Sequence, residues 1–440
     1  VGISLTHWTR SSDYLNEVGN VACSEKIRAV TPGRLATIDL AFVFKSDPLR
    51  NYSQILITET LADLISRDYE YCLYNKKLDL EDKEIVETLK LFNFGEEAAH
   101  DRLVYTVNMT TPIALNLDLE NLLKEPFKSA PSIRETFLKA RKSLQMALGK
   151  LFPGELVISI EPLMLHQGMI DRITKENEVS NIQTFPRKLG AHMCVPYGDI
   201  LDDHIIPNTV TKALHTEKYF EADLKSFTIK ELPFYLSLEN QVKILKSFNR
   251  ELILVDTILH KGYRMKALDP LLHKEGLKVR KIVAGILSAR GRDLMASKGY
   301  SVDTVYYFPR MKVWFNENTL YPFIGGDSLW RGTFPMRNLL PSVNLILPYT
   351  MPKFLGAYDK EGVYNLSLTC LTNSLEILKS IEEYYNKVFD RKLTLKNLGQ
   401  VMTIPRIEDQ GPGKIYDLTS SPSVFVENAL ENLLRIKTIL

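Results

Sequence analysis

The fold of the middle of the chain is decided by the stretch LILVDTILHKGYR, residues 252–264. The apolar, β-rich residues that run into an acid predict a buried strand over 251–256 that ends on Asp256. A short loop with Gly262 follows, and the pattern over 265–275 predicts a helix. The stretch therefore predicts a strand–turn–helix unit of an α/β fold.

The segments around this stretch repeat the alternation of strand and helix. The pattern predicts strands over 156–160, 187–196, 278–287 and 301–308, helices over 169–175 and 290–298, and a loop over 161–168. Strands that alternate with helices of this length indicate a parallel sheet with crossover helices.

The regions on either side of this α/β segment show a different sequence pattern. Residues 1–150 read as a mixed, helix-rich region, 151–330 as the α/β domain, and 331–440 as a helical C-terminal region. The predicted helices of the flanks cover 53–67, 80–92, 132–148, 373–388 and 423–436. The pattern also predicts an extended segment over 102–119 that Pro112 breaks, a run over 36–44 that is a strand or a buried helix turn, and a turn-rich loop over 405–413.

The composition is that of an ordinary globular protein. The chain has 440 residues, 45% of them hydrophobic and 10% aromatic, and a net charge of +2. These values exclude a disordered chain and disfavour a basic nucleic-acid binder. No apolar run approaches the roughly 18–20 residues that span a bilayer. We therefore expect neither nucleic acid nor a membrane as a partner.

The cysteines indicate the compartment. Cys23, Cys72, Cys194 and Cys370 are far apart and form no CxxC pair. This spacing is typical of free buried thiols in a reducing environment, so we expect a cytoplasmic protein and no structural metal. The chain begins with Val1, which favours a piece of a longer protein.

The predicted strand end offers a site for a sugar phosphate. Ligands of parallel sheets bind at the carboxyl ends of the strands. A loop that feeds a helix N-terminus presents free N–H groups that suit a phosphate, and Asp256 can accept hydrogen bonds from ribose hydroxyls. The structural alternative is that Asp256 only caps the next helix and that His260, Lys261 and Arg264 form a solvated helix start.

The same stretch resembles the phosphoribosyl-pyrophosphate loop of type I phosphoribosyltransferases. In that family, four apolar residues precede two adjacent acids and a small loop rich in threonine and glycine. Asp256 matches the first acid and Gly262 matches the loop glycine. Thr257 stands where the second acid is expected, and Lys261 and Arg264 stand where the family has threonines that bind the 5′-phosphate.

The resemblance extends over residues 155–327 and implies a central, mainly parallel sheet of phosphoribosyltransferase type. The loop over 161–168 stands where the family binds pyrophosphate, and the segment 207–218 stands where it often has a catalytic flap. Catalytic roles thereby fall on Asp256, Lys212 and His215. Ligand-binding roles fall on Thr257, His260, Lys261, Gly262, Tyr263, Arg264, His166, Gln167, Gly168 and Trp314.

The implied activity is transfer of ribose-5-phosphate from a pyrophosphate donor to a nitrogen nucleophile. Mg²⁺ would be held mainly by oxygens of the donor. The missing second acid and the bulkier loop leave a second hypothesis open. In this hypothesis the chain is a non-catalytic portion of a larger multidomain protein and binds a phosphorylated ligand. A nucleotidyltransferase domain would then lie elsewhere in the parent protein. A third hypothesis is an interaction scaffold, and a homo-oligomer is compatible with each.

Overall fold

The computed structural model describes residues 2–30, 33–44, 51–76, 83–98, 103–198, 200–201, 206–329, 339–352, 359–409, 411 and 416–437. The chain forms two compact units. Unit 1 comprises Val1–Ile160 and Lys312–Leu440, and unit 2 comprises Glu161–Met311. Several sheets, some of them parallel, combine with helices in these units, so the predicted α/β class is confirmed.

The strands are β1 (Gly2–Thr9), β2 (Leu35–Val43), β3 (Tyr71–Lys76), β4 (Gly95–Ala98), β5 (Leu103–Asn116), β6 (Glu155–Ile160), β7 (Met193–Pro196), β8 (Val210–Thr211), β9 (Thr216–Phe220), β10 (Phe227–Glu231), β11 (Leu252–Leu259), β12 (Val279–Leu287), β13 (Val302–Tyr307), β14 (Val313–Asn316), β15 (Asp327–Leu329), β16 (Leu340–Val343) and β17 (Arg406–Glu408).

The helices are α1 (Tyr14–Val18), α2 (Val21–Val30), α3 (Tyr52–Ser66), α4 (Lys83–Leu91), α5 (Pro131–Leu151), α6 (Pro162–Glu176), α7 (Leu238–Lys246), α8 (Tyr263–Lys274), α9 (Ala289–Ser297), α10 (Lys360–Phe389) and α11 (Pro422–Lys437). Short 3₁₀ helices lie at Ser11–Asp13, Leu119–Leu122, Glu317–Leu320 and Leu395–Gln400.

Unit 1 contains a seven-stranded mixed sheet in which β5 is the central strand. The order is β1-β2-β3-β5-β14, and β4 and β6 also pair with β5. Strands β6 and β14 run parallel to β5, whereas β3 and β4 run antiparallel to it. Buried side chains of α5, α10 and α11 form one apolar core with this sheet. A smaller sheet of the same unit places β15 antiparallel and β17 parallel to β16.

Unit 2 contains a parallel sheet in the order β13-β12-β11-β7-β8. In chain order this is 2-1-3-4-5, an arrangement known from doubly wound α/β proteins. Buried residues of α7, α8 and α9 form one core with the strands. Helix α6 covers the opposite face, where a Cβ on Gly168 would lie 2.7 Å from Cγ1 of Val305 in β13. The strand order reverses between β7 and β11.

Most long elements agree with the sequence predictions. The helices predicted over 53–67, 80–92, 132–148, 265–275, 290–298 and 423–436 correspond to α3, α4, α5, α8, α9 and α11. The ambiguous run over 36–44 is strand β2, and the predicted strands over 278–287 and 301–308 are β12 and β13. All four cysteines are buried free thiols, as predicted.

The predicted pyrophosphate loop over 161–168 is wrong, because helix α6 begins at Pro162. Proline at the first helical position suits a helix start, and Leu165, Met169 and Ile173 then recur on one buried face. The strand predicted over 156–160 is present, but it belongs to a different sheet from the one predicted. It is β6, which pairs with β5 in unit 1 rather than with the parallel sheet of unit 2.

Strand β11 does not end on Asp256. It continues to Leu259, and it stays paired with β12 over that extension. The prediction of an end at the acid failed because Thr257-Ile258-Leu259 is itself a β-favouring run. The turn that precedes α8 therefore consists of His260, Lys261 and Gly262, and we call it the β11–α8 turn.

Three other predictions differ in extent. The strand predicted over 187–196 is restricted to β7, and the helix predicted over 373–388 starts earlier, at Lys360. Pro112 does not break β5, because it lies where the pairing register with β6 shifts, between Asn108 and Ile113.

The loop predicted over 405–413 contains a strand. Arg406–Glu408 form β17, which pairs with β16, so the turn-forming residues around it did not decide the local structure. Ile407 lies buried between Arg406 and Glu408, and this apolar–polar alternation is typical of a short strand.

Helix α9 packs closely on the end of β11, and two glycines make this possible. A Cβ on Gly291 would lie 2.2 Å from the carbonyl oxygen of Leu259. Gly262 has a φ of +61°, and a Cβ there would lie 2.5 Å from Cδ2 of Leu294 in α9. The positions of both helix starts beside the β11–α8 turn therefore depend on residues that lack a side chain.

Gly291→Ala is expected to destabilise unit 2, because the new methyl group meets backbone rather than a movable side chain. We expect a loss of about 1–3 kcal/mol in the free energy of unfolding. Gly399→Ala is the matched control, since a Cβ there would have only an ordinary contact, 3.7 Å from Pro405. Urea unfolding measures both, and equal midpoints would contradict the close packing.

Candidate functional site

The carboxyl edge of the parallel sheet contains the candidate site. The chain leaves β7 toward β8 on one side and leaves β11 toward β12 on the other, so the carboxyl ends of β7 and β11 form a topological switch point. Doubly wound proteins bind ligands at such switch points. The β11–α8 turn directly follows β11 at this switch point.

Asp256 is held by the first turn of α8. Its Oδ1 accepts a hydrogen bond from Nη1 of Arg264 at 2.5 Å, and its side chain is 6% exposed. Backbone N–H groups of Ile258 and Thr257 also donate to the carboxyl group. Burial raises the pKa of Asp256, and Arg264 and the two N–H groups oppose that rise. Asp256 and Arg264, which were both predicted to bind a ligand, are thus paired with each other.

Tyr197 fills the space between the end of β7 and α8. It is buried, and its hydroxyl lies 2.7 Å from the sulfur of Met265. The guanidinium of Arg264 lies 5.5 Å from the centre of its ring. Burial and the nearby Asp256 raise the pKa of this phenol, so it stays a neutral group beside the ion pair.

The β11–α8 turn is tied to the start of α9. Nδ1 of His260 lies 2.9 Å from Oγ of Ser288, which also accepts the N–H of Gly291 as the helix cap. Burial, together with Lys261 and Arg290, lowers the pKa of His260. Two helix N-termini therefore meet at this turn, and Gly262, which has no side chain to cap α8, precedes one of them.

Two cations stand at these helix starts. Lys261 and Arg290 are exposed, and within the described ranges neither forms an ion pair with an acid. Positive side chains at a helix N-terminus are unfavourable unless an anion balances them. The arrangement is suited to a phosphate or another small oxyanion.

An exposed aromatic residue adjoins the turn. Tyr263 is 45% exposed, and its ring packs edge-on against Phe227 of β10 at 4.8 Å between ring centres. Nζ of Lys266 lies 5.4 Å from the centre of the same ring. The Tyr263 ring could stack on a flat group attached to a bound phosphate.

The segment His166–Gly168 lies on the other face of the sheet. These residues belong to the first turns of α6, where His166 is buried and Gln167 bonds to Asp171 at 2.9 Å. Asp256 shares the α8 face with Leu252 and Leu254, as strand alternation requires. The structure therefore does not bring His166–Gly168 together with Asp256.

The other predicted catalytic residues follow the edge strand β8. Lys212 is exposed, and its N–H donates to the carbonyl of Cys194 at 3.0 Å. The ring of His215 stacks on Tyr235 with 3.9 Å between centres, and the backbone N–H of His215 donates to Oε1 of Gln241. Strand β7 separates this segment from β11. Thr257 lies in β11 itself and is half-buried.

Trp314 is part of unit 1. It lies in β14, opposite Ala114 of β5, and is 36% exposed. The aromatic residue nearest to the β11–α8 turn in sequence is Tyr263.

Sequence reasoning gave no role to Tyr197 or Ser288. A signal for Ser288 exists, since a serine that follows a predicted strand and precedes a helix is a typical N-cap. Tyr197 had no local signal, because its role depends on the distant pairing of β7 with β11.

No protein-family model matches the sequence, and no curated protein matches it. Among the residues that the structure describes, no group of three or more His, Cys, Asp or Glu side chains is placed to hold a metal ion. In the same part of the chain, no helix combines the length and apolar character needed to cross a bilayer.

Arg264→Leu is expected to destabilise the protein, because it leaves the buried Asp256 carboxyl without its cation. We expect a loss of about 2–3 kcal/mol in the free energy of unfolding, somewhat below the cost for a fully buried pair because Arg264 is one-third exposed.

The double variant Asp256→Asn/Arg264→Leu should recover part of this loss. Arg292→Leu, which breaks the exposed pair with Asp293, is the control and should cost much less. Guanidinium unfolding measures all three, and a cost for Arg264→Leu no larger than that of the control would refute the role of the pair.

Lowering the pH below about 6.5 should destabilise unit 2 through His260. Its pKa is lowered from 6.5 in the folded protein, so the unfolded chain takes up a proton first. The free energy of unfolding therefore falls from pH 7 toward the folded pKa, and it levels off below that value. Unfolding curves between pH 7.5 and 5 test this, and His260→Gln should remove part of the slope. An unchanged slope would exclude His260 as its source.

Proposed function

We propose that unit 2 binds the phosphate group of a phosphorylated ribose or nucleotide at the β11–α8 turn. The observation that carries this proposal is the pair of exposed cations, Lys261 and Arg290, beside two adjacent helix N-termini at the edge of a topological switch point. A bound oxyanion would balance both cations and accept the N–H groups of the first turn of α8.

Two features favour a nucleotide-like ligand over a bare anion. Tyr263 offers an exposed ring next to the turn, and a base or other flat group can stack there. The resemblance of residues 252–264 to the phosphoribosyl-pyrophosphate loop points to the same class of ligand. The proposal is thus a divergent domain of phosphoribosyltransferase type.

We favour binding without transfer. Asp256, the acid that would hold the ribose hydroxyls, is buried and already bonded to Arg264 and to two backbone N–H groups. His166–Gly168 belong to a helix on the other face of the sheet, so they do not form a pyrophosphate loop beside Asp256. A ligand-sensing or regulatory role within a larger protein agrees with these contacts, whereas transferase chemistry would require Asp256 to exchange its partners.

Lys261→Ala and Arg290→Ala should each weaken binding of phosphoribosyl pyrophosphate or AMP about tenfold, since each removes a charge-assisted contact to phosphate. Lys274→Ala, at the opposite end of α8, is the matched control and should bind normally. Titration calorimetry measures the affinities, with inorganic phosphate as the minimal probe.

Binding of none of these probes, or equal affinities in all variants, would overturn the proposal. Release of pyrophosphate from phosphoribosyl pyrophosphate that requires Mg²⁺ and disappears in Asp256→Asn would instead establish transfer.

A further inference from the structure

One face of the β1–β2 pair in unit 1 carries large apolar side chains that are exposed to solvent. Helix α3 covers the other face, where Oγ of Ser4 lies 2.7 Å from Oγ1 of Thr60. Since successive residues of a strand alternate between faces, Ile3 and Leu5 belong to the face that α3 does not cover.

Strand β2 continues this uncovered face. Phe42 is paired with Ile3 and Leu40 with Leu5, and residues directly opposite each other in an antiparallel pair share a face. The ring of Phe44 packs edge-on against that of Phe42, with 5.4 Å between ring centres. We call this surface the open apolar face, and its members are Ile3, Leu5, Leu40, Phe42 and Phe44.

The open apolar face has the size of a binding surface. Its five residues are between 40% and 60% exposed. For large apolar side chains this amounts to roughly 500 Å² of apolar surface, in the range that marks an interaction site on a monomer. None of the five side chains has a charge or a hydrogen-bonding group, so the surface favours an apolar partner.

The charged groups that border this face are paired within the chain. Nδ1 of His7, which shares the side of β1 that holds Leu5, lies 2.7 Å from Oδ2 of Asp39, and its Nε2 lies 3.2 Å from Oε1 of Glu17. The hydrogen bond to Asp39 raises the pKa of His7, which favours the charged form of the ring. A second copy would therefore meet paired charges at the border rather than a block of one sign.

We propose that two copies of the chain associate face to face through the open apolar face. Sheet faces pack on one another at a distance of about 10 Å, with interdigitated side chains. Two copies of this face would bury roughly 1,000 Å² in total, the size at which specific interfaces begin. Since both copies present the same surface, the contact is a symmetric dimer.

Sedimentation velocity of the full chain between about 0.5 and 100 µM measures this association. We expect a monomer–dimer equilibrium with a Kd of about 1–10 µM, because the interface is small. Phe42→Lys places an unpaired charge in the contact and should weaken the dimer about 100-fold or more. Phe42→Leu keeps an apolar side chain and should change Kd by less than about tenfold.

Trp8→Lys is the matched control. Trp8 is 53% exposed and belongs to the same strand, but it shares the side of Ser4, so a charge there stays outside the contact and the dimer should persist. Leu5→Lys repeats the test on β1, so that the result does not depend on the folding of one variant.

Three results would overturn the proposal. The first is a wild-type chain that stays monomeric over the whole concentration range. The second is a dimer that persists in both Phe42→Lys and Leu5→Lys. The third is loss of the dimer in Trp8→Lys as well, which would indicate pairing through the edge of β1 instead of contact between the faces.

Discussion

The buried carboxyl group of Asp256 determines how strand β11 passes into helix α8. It receives N–H groups from the strand itself and the guanidinium of Arg264 from the first helical turn. A carboxylate this deeply buried is tolerated only with such partners. The pair therefore anchors the start of α8, and the glycine contacts of α9 bring a second helix start to the same turn.

The candidate site is defined by the cations that still lack an acidic partner, among the described residues, once Asp256 and Arg264 have paired. Arg264 is paired with Asp256. Lys261 and Arg290 lie at the helix starts and have no acidic partner in the ranges described. Burial, together with the same two cations, lowers the pKa of His260. An anion at the turn would relieve this local excess of positive charge, which is why we propose binding rather than chemistry at Asp256.

Local pattern was sufficient for most of the long elements, but not for the start of α6, for strand β17 or for the assembly of the elements. The strand–turn–helix at 252–274 was predictable because its hydrophobic periodicity and the position of Gly262 indicate the same order of elements. Two aspects of the site depend on long-range pairing, the burial of Asp256 under Arg264 and the separation of His166–Gly168 from it. Strand β6 joins the sheet of unit 1, and no local signal distinguishes that partner from the neighbouring parallel strands.

The most direct measurement is a crystal structure of the protein soaked with inorganic phosphate. The account predicts one ordered anion against the N–H groups that follow Gly262, within reach of Lys261 and Arg290, while Asp256 keeps its bond to Arg264. An anion bound elsewhere with this turn left empty would contradict it.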